Sequence, residues 1–478
     1  MISFEDISHS KKYIFANLLN VLSPIILYPI ITSNLDPSIY GNYVMFMSIA
    51  MIAIGFANMG CLIGFRRDYF KYYETNYFKD YVISLQIFII TIFIIFYIIS
   101  SIFDNIIFQS FSKLDNQQNF WSLLVLTLLL DFFNKYFLTY LVNAKKSKLY
   151  LFIFGLKSSS NILITIILFH LNFEIFSIIY SLLFTNIFIL IISIIYQFKF
   201  YRDFKFRFEL VRQTLKISYP MTLRILFGKM NGEFDKILIA NIISPAATAI
   251  YFIGQSIAYF VFLFLNALDK VFITGLNNHL FKKEKLNLST YLTPFFFLVT
   301  LSAIVVLLFH DIVLYFLVDK KYAGSEYIIL FFSIHYCLLF FAKISGTQFI
   351  FLKKAWTLNN IFIFNVFLNI ILTILLALKF GIEGAALATL ISGVITTFIS
   401  YKIANKQLKI EYEFKKIFIL LFFLLITFLI SVYLVNSNYE IFDVKIIILK
   451  ISIIILFIIC GFFTKLINKN LILNLLRF

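Results

Sequence analysis

Long apolar stretches alternate with short polar ones from one end of the chain to the other. A helix needs about 20 residues to cross the ~30 Å hydrocarbon core of a bilayer. On that ruler fourteen runs are long enough. They lie at roughly 13–32, 41–64, 79–102, 120–143, 149–169, 174–196, 217–243, 246–276, 290–318, 325–350, 359–378, 383–403, 415–436 and 444–468. The runs are apolar on all sides, whereas a barrel strand would span in about 10 residues of alternating polarity. The pattern predicts an all-α polytopic membrane protein of about 14 transmembrane helices. Lys11 and Lys12 precede the first run as they would in a signal peptide. Pro24 and Pro29 interrupt it, however, and no small-x-small cleavage site follows, so it reads as a retained first span.

The polar breaks carry an orientation signal. Lys and Arg gather in every second loop, twenty-eight on one side against Lys113, Lys320, Lys321, Lys379 and Lys445 on the other. Basic loops are normally cytoplasmic, so both termini are expected in the cytoplasm. One wrong span would invert every later loop and spoil the alternation.

Composition agrees with this and narrows the function. The 478 residues are 61% hydrophobic and only 14% charged, with mean hydropathy +0.94. A soluble domain is nearer half apolar and a quarter charged, so a soluble enzyme, a nucleic-acid binder and a disordered chain are excluded. The net charge of +17 belongs to the loops. The longest outside loop, about 103–119, and the longest inside loop, about 197–216, are too short to hold a nucleotide-binding or glycosyltransferase domain. Cys61, Cys337 and Cys460 are scattered in apolar runs with no metal or redox spacing, and no disulfide is expected.

Several short segments carry a resemblance. Leu35-Asp36-Pro37-Ser38-Ile39-Tyr40-Gly41-Asn42-Tyr43 joins the first two spans and resembles the L-x-P-x-x-Y-G-x-Y turn of the polysaccharide transporter family. These are the Wzx-type flippases of the multidrug/oligosaccharidyl-lipid/polysaccharide exporter superfamily. Ile217-Ser218-Tyr219-Pro220 opens span seven as in that family, and Phe234-Asp235-Lys236-Ile237-Leu238-Ile239 looks like its D-K/R-x-x-I/L signature. Ala249-Ile250-Tyr251 stands where the family has V-G-x-Y, with the glycine missing. Lys321-Tyr322-Ala323-Gly324-Ser325-Glu326-Tyr327 resembles the segment before span ten, and Phe380-Gly381-Ile382-Glu383-Gly384-Ala385-Ala386-Leu387-Ala388-Thr389 the Y-G-I-x-G-A-A-x-A-T run.

The resemblance implies two six-helix bundles around a central cavity that opens alternately to each side. The corresponding divisions are an N-terminal bundle over 1–196, a basic cytoplasmic linker over 197–216, a second bundle over 217–403 and two additional helices over 404–478. It also implies a job, moving a lipid-linked oligosaccharide between leaflets. A sugar chain cannot enter hydrocarbon without shedding its hydration, and a polar cavity replaces that water. The first span acts as a gating helix in the superfamily, which gives Pro24 and Pro29 a reading as bends.

Charges within the spans are the candidate chemistry, because each costs several kcal/mol unless paired or wet. Eight are basic (Lys135, Lys157, Arg224, Lys229, Lys236, Lys270, Lys343 and Lys450) and five acidic (Asp131, Glu233, Asp235, Asp269 and Asp311). A basic excess suits the anionic diphosphate of a lipid carrier. Arg224, Lys157, Lys229 and Lys343, with Asn17 and Asn20 of span one, are the candidate substrate contacts. For Arg224 and Lys343 the plainer alternative is snorkelling. Asp131–Lys135 and Lys229–Glu233, each four apart, are expected pairs, as is Asp269–Lys270. Asp235 sits on the face opposite Glu233. His335 and Asp131 are the places for proton coupling, although a core histidine is the plainer reading of His335. Gly228 and Gly232 mark either a hinge or tight packing.

The expected protein is a flippase of the cell inner membrane, not an enzyme. It would take polyprenyl-diphosphate-linked repeat units for O-antigen, capsule or a similar polymer. No cofactor and no metal are implied, and proton or sodium coupling stays open. Membrane lipid and a polysaccharide polymerase are expected partners; nucleic acid is not. A multidrug cation antiporter of the same superfamily, and a membrane oligosaccharide polymerase or ligase, are the alternatives.

Overall fold

The computed structural model describes residues 4–102, 120–202, 204–282, 288–437 and 440–464. These residues form helices and no strand. In order they are α1 (Phe4–Asn34), α2 (Pro37–Ala57), α3 (Cys61–Tyr73), α4 (Phe78–Ile102), α5 (Phe120–Asn143), α6 (Ser147–His170) and α7 (Phe176–Tyr201). Then follow α8 (Phe208–Ile242), α9 (Pro245–Lys282), α10 (Leu288–Leu317), α11 (Glu326–Phe351), α12 (Ala355–Gln407), α13 (Phe414–Asn436) and α14 (Val444–Phe463).

Eleven of these segments are long and apolar enough to cross a membrane. Their surfaces carry large exposed apolar side chains, among them Ile95, Ile195, Phe418 and Phe463. In water such a surface would drive aggregation; in a bilayer it is the face that lipid wets. α1 and α8 are not among the eleven, and Trp356–Gln407 enters as one segment of 52 residues.

That long segment is two helices. Gly381 breaks it with φ 63° and ψ −145°, a region open essentially to glycine alone. The arms run antiparallel: Asn369 Nδ2 donates to Thr389 Oγ1 at 3.1 Å and to Ser392 Oγ at 3.3 Å, and Thr396 Oγ1 donates to Asn365 Oδ1 at 3.2 Å. The arms coincide with the runs expected at 359–378 and 383–403.

Two boundaries differ from the hydropathy pattern. The run at 41–64 holds a break, because α2 ends at Ala57 and Met59 (φ 47°) and Gly60 (φ 66°) turn the chain into α3. Gly60 is also pressed against the Ser218 carbonyl, where a Cβ would collide. The inside loop shrinks as well: α7 runs to Tyr201 and α8 begins at Phe208, so span seven is the latter part of a 35-residue helix. Local polar bonds tie that short connection down. Asp80 accepts from the Arg207 guanidinium at 2.7 Å and from the Lys205 amide at 2.8 Å, and Ser84 accepts from the Arg207 amide. The outside loop at 103–119 lies outside the described residues.

The contacts divide the chain into two compact units, Met1–Asn241 and Ile242–Phe478, with α8 in the first. Polar side chains hold each unit together inside its apolar helices. In the first, Gln86 donates to Gln197 at 2.9 Å, Asn134 to the Asn186 carbonyl at 2.9 Å and Tyr136 to Asn58 at 2.6 Å. In the second, α13 and α14 fasten onto α10. Ser431 donates to the Leu307 carbonyl at 2.8 Å, Phe457 stacks on Phe297, and Lys450 pairs with Asp311 at 2.5 Å. Lys450 is fully buried, so this partner must neutralise it.

Candidate functional site

The first unit gathers charge at one place. α5 presents Asp131 and Lys135 on one face, with the ammonium 2.9 Å from Asp131 Oδ2. α6 brings Lys157 to the other oxygen, 2.6 Å from Oδ1. One carboxylate thus serves two lysines. Lys135 also lies over the Phe132 ring, 4.2 Å from its centroid.

α8 adds a third cation. Lys229 is half-buried, makes no ion pair among the described residues, and lies within electrostatic range of Asp131, Lys135 and Glu233. Its stem crosses α2 at Gly55, where a Cβ would stand 3.1 Å from Lys229 Cγ. One turn further, Glu233 is already engaged. It accepts from Lys236 Nζ at 2.8 Å and from the Ser48 hydroxyl of α2 at 3.1 Å. Lys236 also donates to the Gly232 carbonyl at 2.8 Å. Asp131 thus answers Lys135 and Lys157 at bonding distance, while Lys229 feels Glu233 and, beyond it, Asp131 without bonding to either, and cations outnumber carboxylates in the cluster. The arrangement can hold an anion. Lysine ammoniums are point charges well suited to phosphate, and the apolar surroundings strengthen each contact.

The expected residues do not all meet at one place. Asp131, Lys135, Lys157 and Lys229 come together. Lys157 does so as a partner of Asp131, and Glu233 pairs with Lys236 in place of Lys229. Arg224 stands apart on α8, exposed and without an ion pair among the described residues, and Asp235 is buried. Pro24 and Pro29 lie inside the continuous α1, while the side chains of Asn17 and Asn20 lie outside the described residues. A Cβ on Gly228 or Gly232 would meet nothing within 4 Å. In the first unit the tight glycine contacts among the described residues are at Gly55, Gly60 and Gly64.

In the second unit, Lys343 is closed on Asp269 of α9 and on Asn266 Oδ1 at 2.8 Å. Asp269 therefore pairs across helices, and the side chain of Lys270 lies outside the described residues. His335 is buried between Phe332 and Tyr336, and a Cβ on Gly393 would reach its ring at 2.5 Å. Among the described residues no cluster of His, Cys, Asp and Glu could hold a metal ion.

Residues 12–273 match the sequence profile of a family described as polysaccharide biosynthesis protein. The chain belongs to that family. The matched stretch contains all of α2 to α8, hence the whole lysine cluster, while His335, Lys343 and Lys450 lie beyond it. No curated protein matches the chain by sequence.

Among solved structures the fold is similar to lipid II flippase MurJ in an inward closed conformation. The TM-score is 0.73 at 17% identity, over 96% of this chain and 99% of that one. It is also similar to a multidrug resistance MATE family transporter of the MOP superfamily in an inward-facing conformation (0.60, 13%, 82% and 94%). A point mutant of the Vibrio cholerae MATE transporter VcmN gives 0.60 at 14% identity over 86% and 99%. At such identities the shared property is the fold. This member of the polysaccharide biosynthesis protein family is therefore a multi-pass membrane protein whose relatives in fold are flippases and transporters.

Proposed function

We propose that the protein is an inner-membrane flippase for polyprenyl-diphosphate-linked oligosaccharide repeat units, feeding assembly of a cell-surface polysaccharide such as O-antigen or capsule. The observation that carries the reading is the lysine cluster, in which Asp131 holds Lys135 and Lys157 at bonding distance and Lys229 makes no ion pair among the described residues. In this reading the surplus charge receives the diphosphate while the polyprenyl tail stays in lipid. Exposing the cluster first to one leaflet and then to the other would carry the headgroup across. We read α1, α8 and the two arms of α12 as crossings in their own right, which makes fourteen and leaves both termini cytoplasmic. The first twelve form the two bundles, and a polymerase acting on the delivered units is the expected partner. The energy source is a proton or sodium gradient.

The drug-antiporter alternative needs a carboxylate free for a cation. Asp131, Glu233, Asp269 and Asp311 each have a lysine at bonding distance, which favours an anionic substrate. The test is a deletion strain whose polyprenyl-linked glycans are weighed by mass spectrometry and probed with a membrane-impermeant reagent. Complete repeat units trapped on the cytoplasmic face are expected. Complete units on the outer face would indicate a polymerase or ligase instead, and an unchanged lipid pool would return the drug exporter.

A further inference from the structure

The substrate reading leaves α3 unused. This helix links two spanning helices, α2 and α4, and its two faces differ sharply. Cys61, Gly64, Phe65, Asp68, Tyr69 and Tyr72 are buried. The other side forms one arc of about 160° at 100° per residue, and there Ile63, Arg66, Arg67, Phe70, Lys71 and Tyr73 are exposed. Phe70 is 65% exposed and Tyr73 55%. Asp68 lies at the inner edge of this arc, where it accepts from Thr214 at 2.9 Å and from the Arg67 guanidinium at 2.7 Å, so Arg67 is already paired; Glu74 stands at the C-terminal cap.

The depth of α3 follows from what it touches. Its buried face meets Tyr81 in the first turn of α4, Tyr140 in the last turn of α5, and Gln213 and Thr214 in the second turn of α8. One to two turns from a helix end is about 5–10 Å, the depth at which an in-plane amphipathic helix lies among headgroups. Lys71 is braced there by Tyr72 and Gln213, at 3.1 and 3.0 Å.

We propose that the outer face of α3 is a docking surface for anionic phospholipid headgroups. Ile63 and Phe70 enter the acyl boundary, and Arg66 and Lys71 on either side of them receive the phosphates. Charge complementarity selects the partner, because two cations, Arg66 and Lys71, flank an apolar stripe at interfacial depth while Arg67 is held by Asp68. A neutral lipid surface would match the stripe and leave the cations uncompensated. The inference does not depend on the substrate proposed above.

The test uses the full chain, purified in detergent and mixed with phosphatidylglycerol or phosphatidylcholine. Native mass spectrometry reads the lipid retained. The wild type should keep phosphatidylglycerol in preference to phosphatidylcholine. R66Q/K71Q should weaken that preference by about five-fold for each cation removed, and K320Q/K321Q, at a site in the second unit, should leave it unchanged. Equal retention of the two lipids by the wild type, or an R66Q/K71Q preference equal to wild type, would overturn the proposal. Hydrogen exchange on the wild type needs no variant. Residues 61–77 should exchange more slowly in phosphatidylglycerol nanodiscs than in phosphatidylcholine ones, and equal exchange would overturn it as well.

Discussion

The shared carboxylate of Asp131 permits a quantitative test of how the first unit holds its charges. In D131N an amide faces two lysines that had been held at 2.6 and 2.9 Å. At an effective dielectric of about 20 each contact is worth roughly 6 kcal/mol of gross attraction. Most of this is offset by desolvation, and losing one partner of a fully buried pair costs about 3–5 kcal/mol net. Asp131 is 23% exposed and Lys135 41%, so solvent screens the pair and Lys135 can swing outward. We therefore expect a net loss of about 2 kcal/mol, carried mainly by Lys157, which is 18% exposed. On the scale of about 2–4 °C per kcal/mol for a unit of this size, D131N should melt roughly 4–8 °C below wild type. The assay is thermal unfolding of the purified full chain followed by tryptophan fluorescence, with Trp121 buried at the start of α5 as the reporter. The double variant D131N/K157Q should recover part of the loss, with a coupling of about 1–2 kcal/mol. If D131N melts within a degree of wild type, or if the double variant loses the sum of the two single losses, the shared-carboxylate account is wrong.

Four further outcomes are expected. K229Q should leave the melting temperature near wild type and lower repeat-unit export at least ten-fold in a complementation assay, with K229R partly active; full activity of K229Q would remove Lys229 from the substrate path. Gly55→Leu should act through the same lysine, crowding its stem and lowering export at a cost of about 1–3 kcal/mol from overpacking; export equal to wild type would mean that the stem is free to move aside. K450M breaks a pair with no solvent access, so a loss of about 3–5 kcal/mol is expected, and K450M/D311L should recover most of it in the same melting assay. Gly381→Ala forces a side chain into a region reserved for glycine, at about 1–3 kcal/mol, and should open the hairpin turn to limited proteolysis.

Much of the architecture could be read because hydrocarbon is an unforgiving solvent. It demands about 20 apolar residues per crossing, and the runs at 79–102, 120–143 and 415–436 coincide with α4, α5 and α13 to within a residue or two. Hydropathy and structure diverge where apolar character and helix continuity part company. Residues 58–60 are apolar or small enough to sit inside a run, yet Met59 and Gly60 adopt left-handed backbone angles and end α2. Hydropathy sums side chains and carries no information about φ. The Gly60-x-x-x-Gly64 spacing is the sequence signal for the close helix contact there, whereas Gly228-x-x-x-Gly232 has open space around it among the described residues.

Charge pairing was legible only within one helix. Asp131 and Lys135 are four residues apart, and that spacing brings side chains together on any helix. Lys157 reaches the same carboxylate from 26 positions away, Lys343 reaches Asp269 from 74, and Lys450 reaches Asp311 from 139. No periodicity reports such distances, because they depend on which helices become neighbours. The same limit reassigned Glu233. On a bare helix Lys229 and Lys236 are both within reach of it, and Ser48 of α2 adds a hydroxyl on the side where Lys236 binds. Lys229 is thereby released from its expected partner, and its stem is accommodated by the missing side chain at Gly55. The cation that best fits a substrate role is thus defined by two α2 residues that carry no charge, so the pattern of charges along the chain contains the lysine but not what positions it.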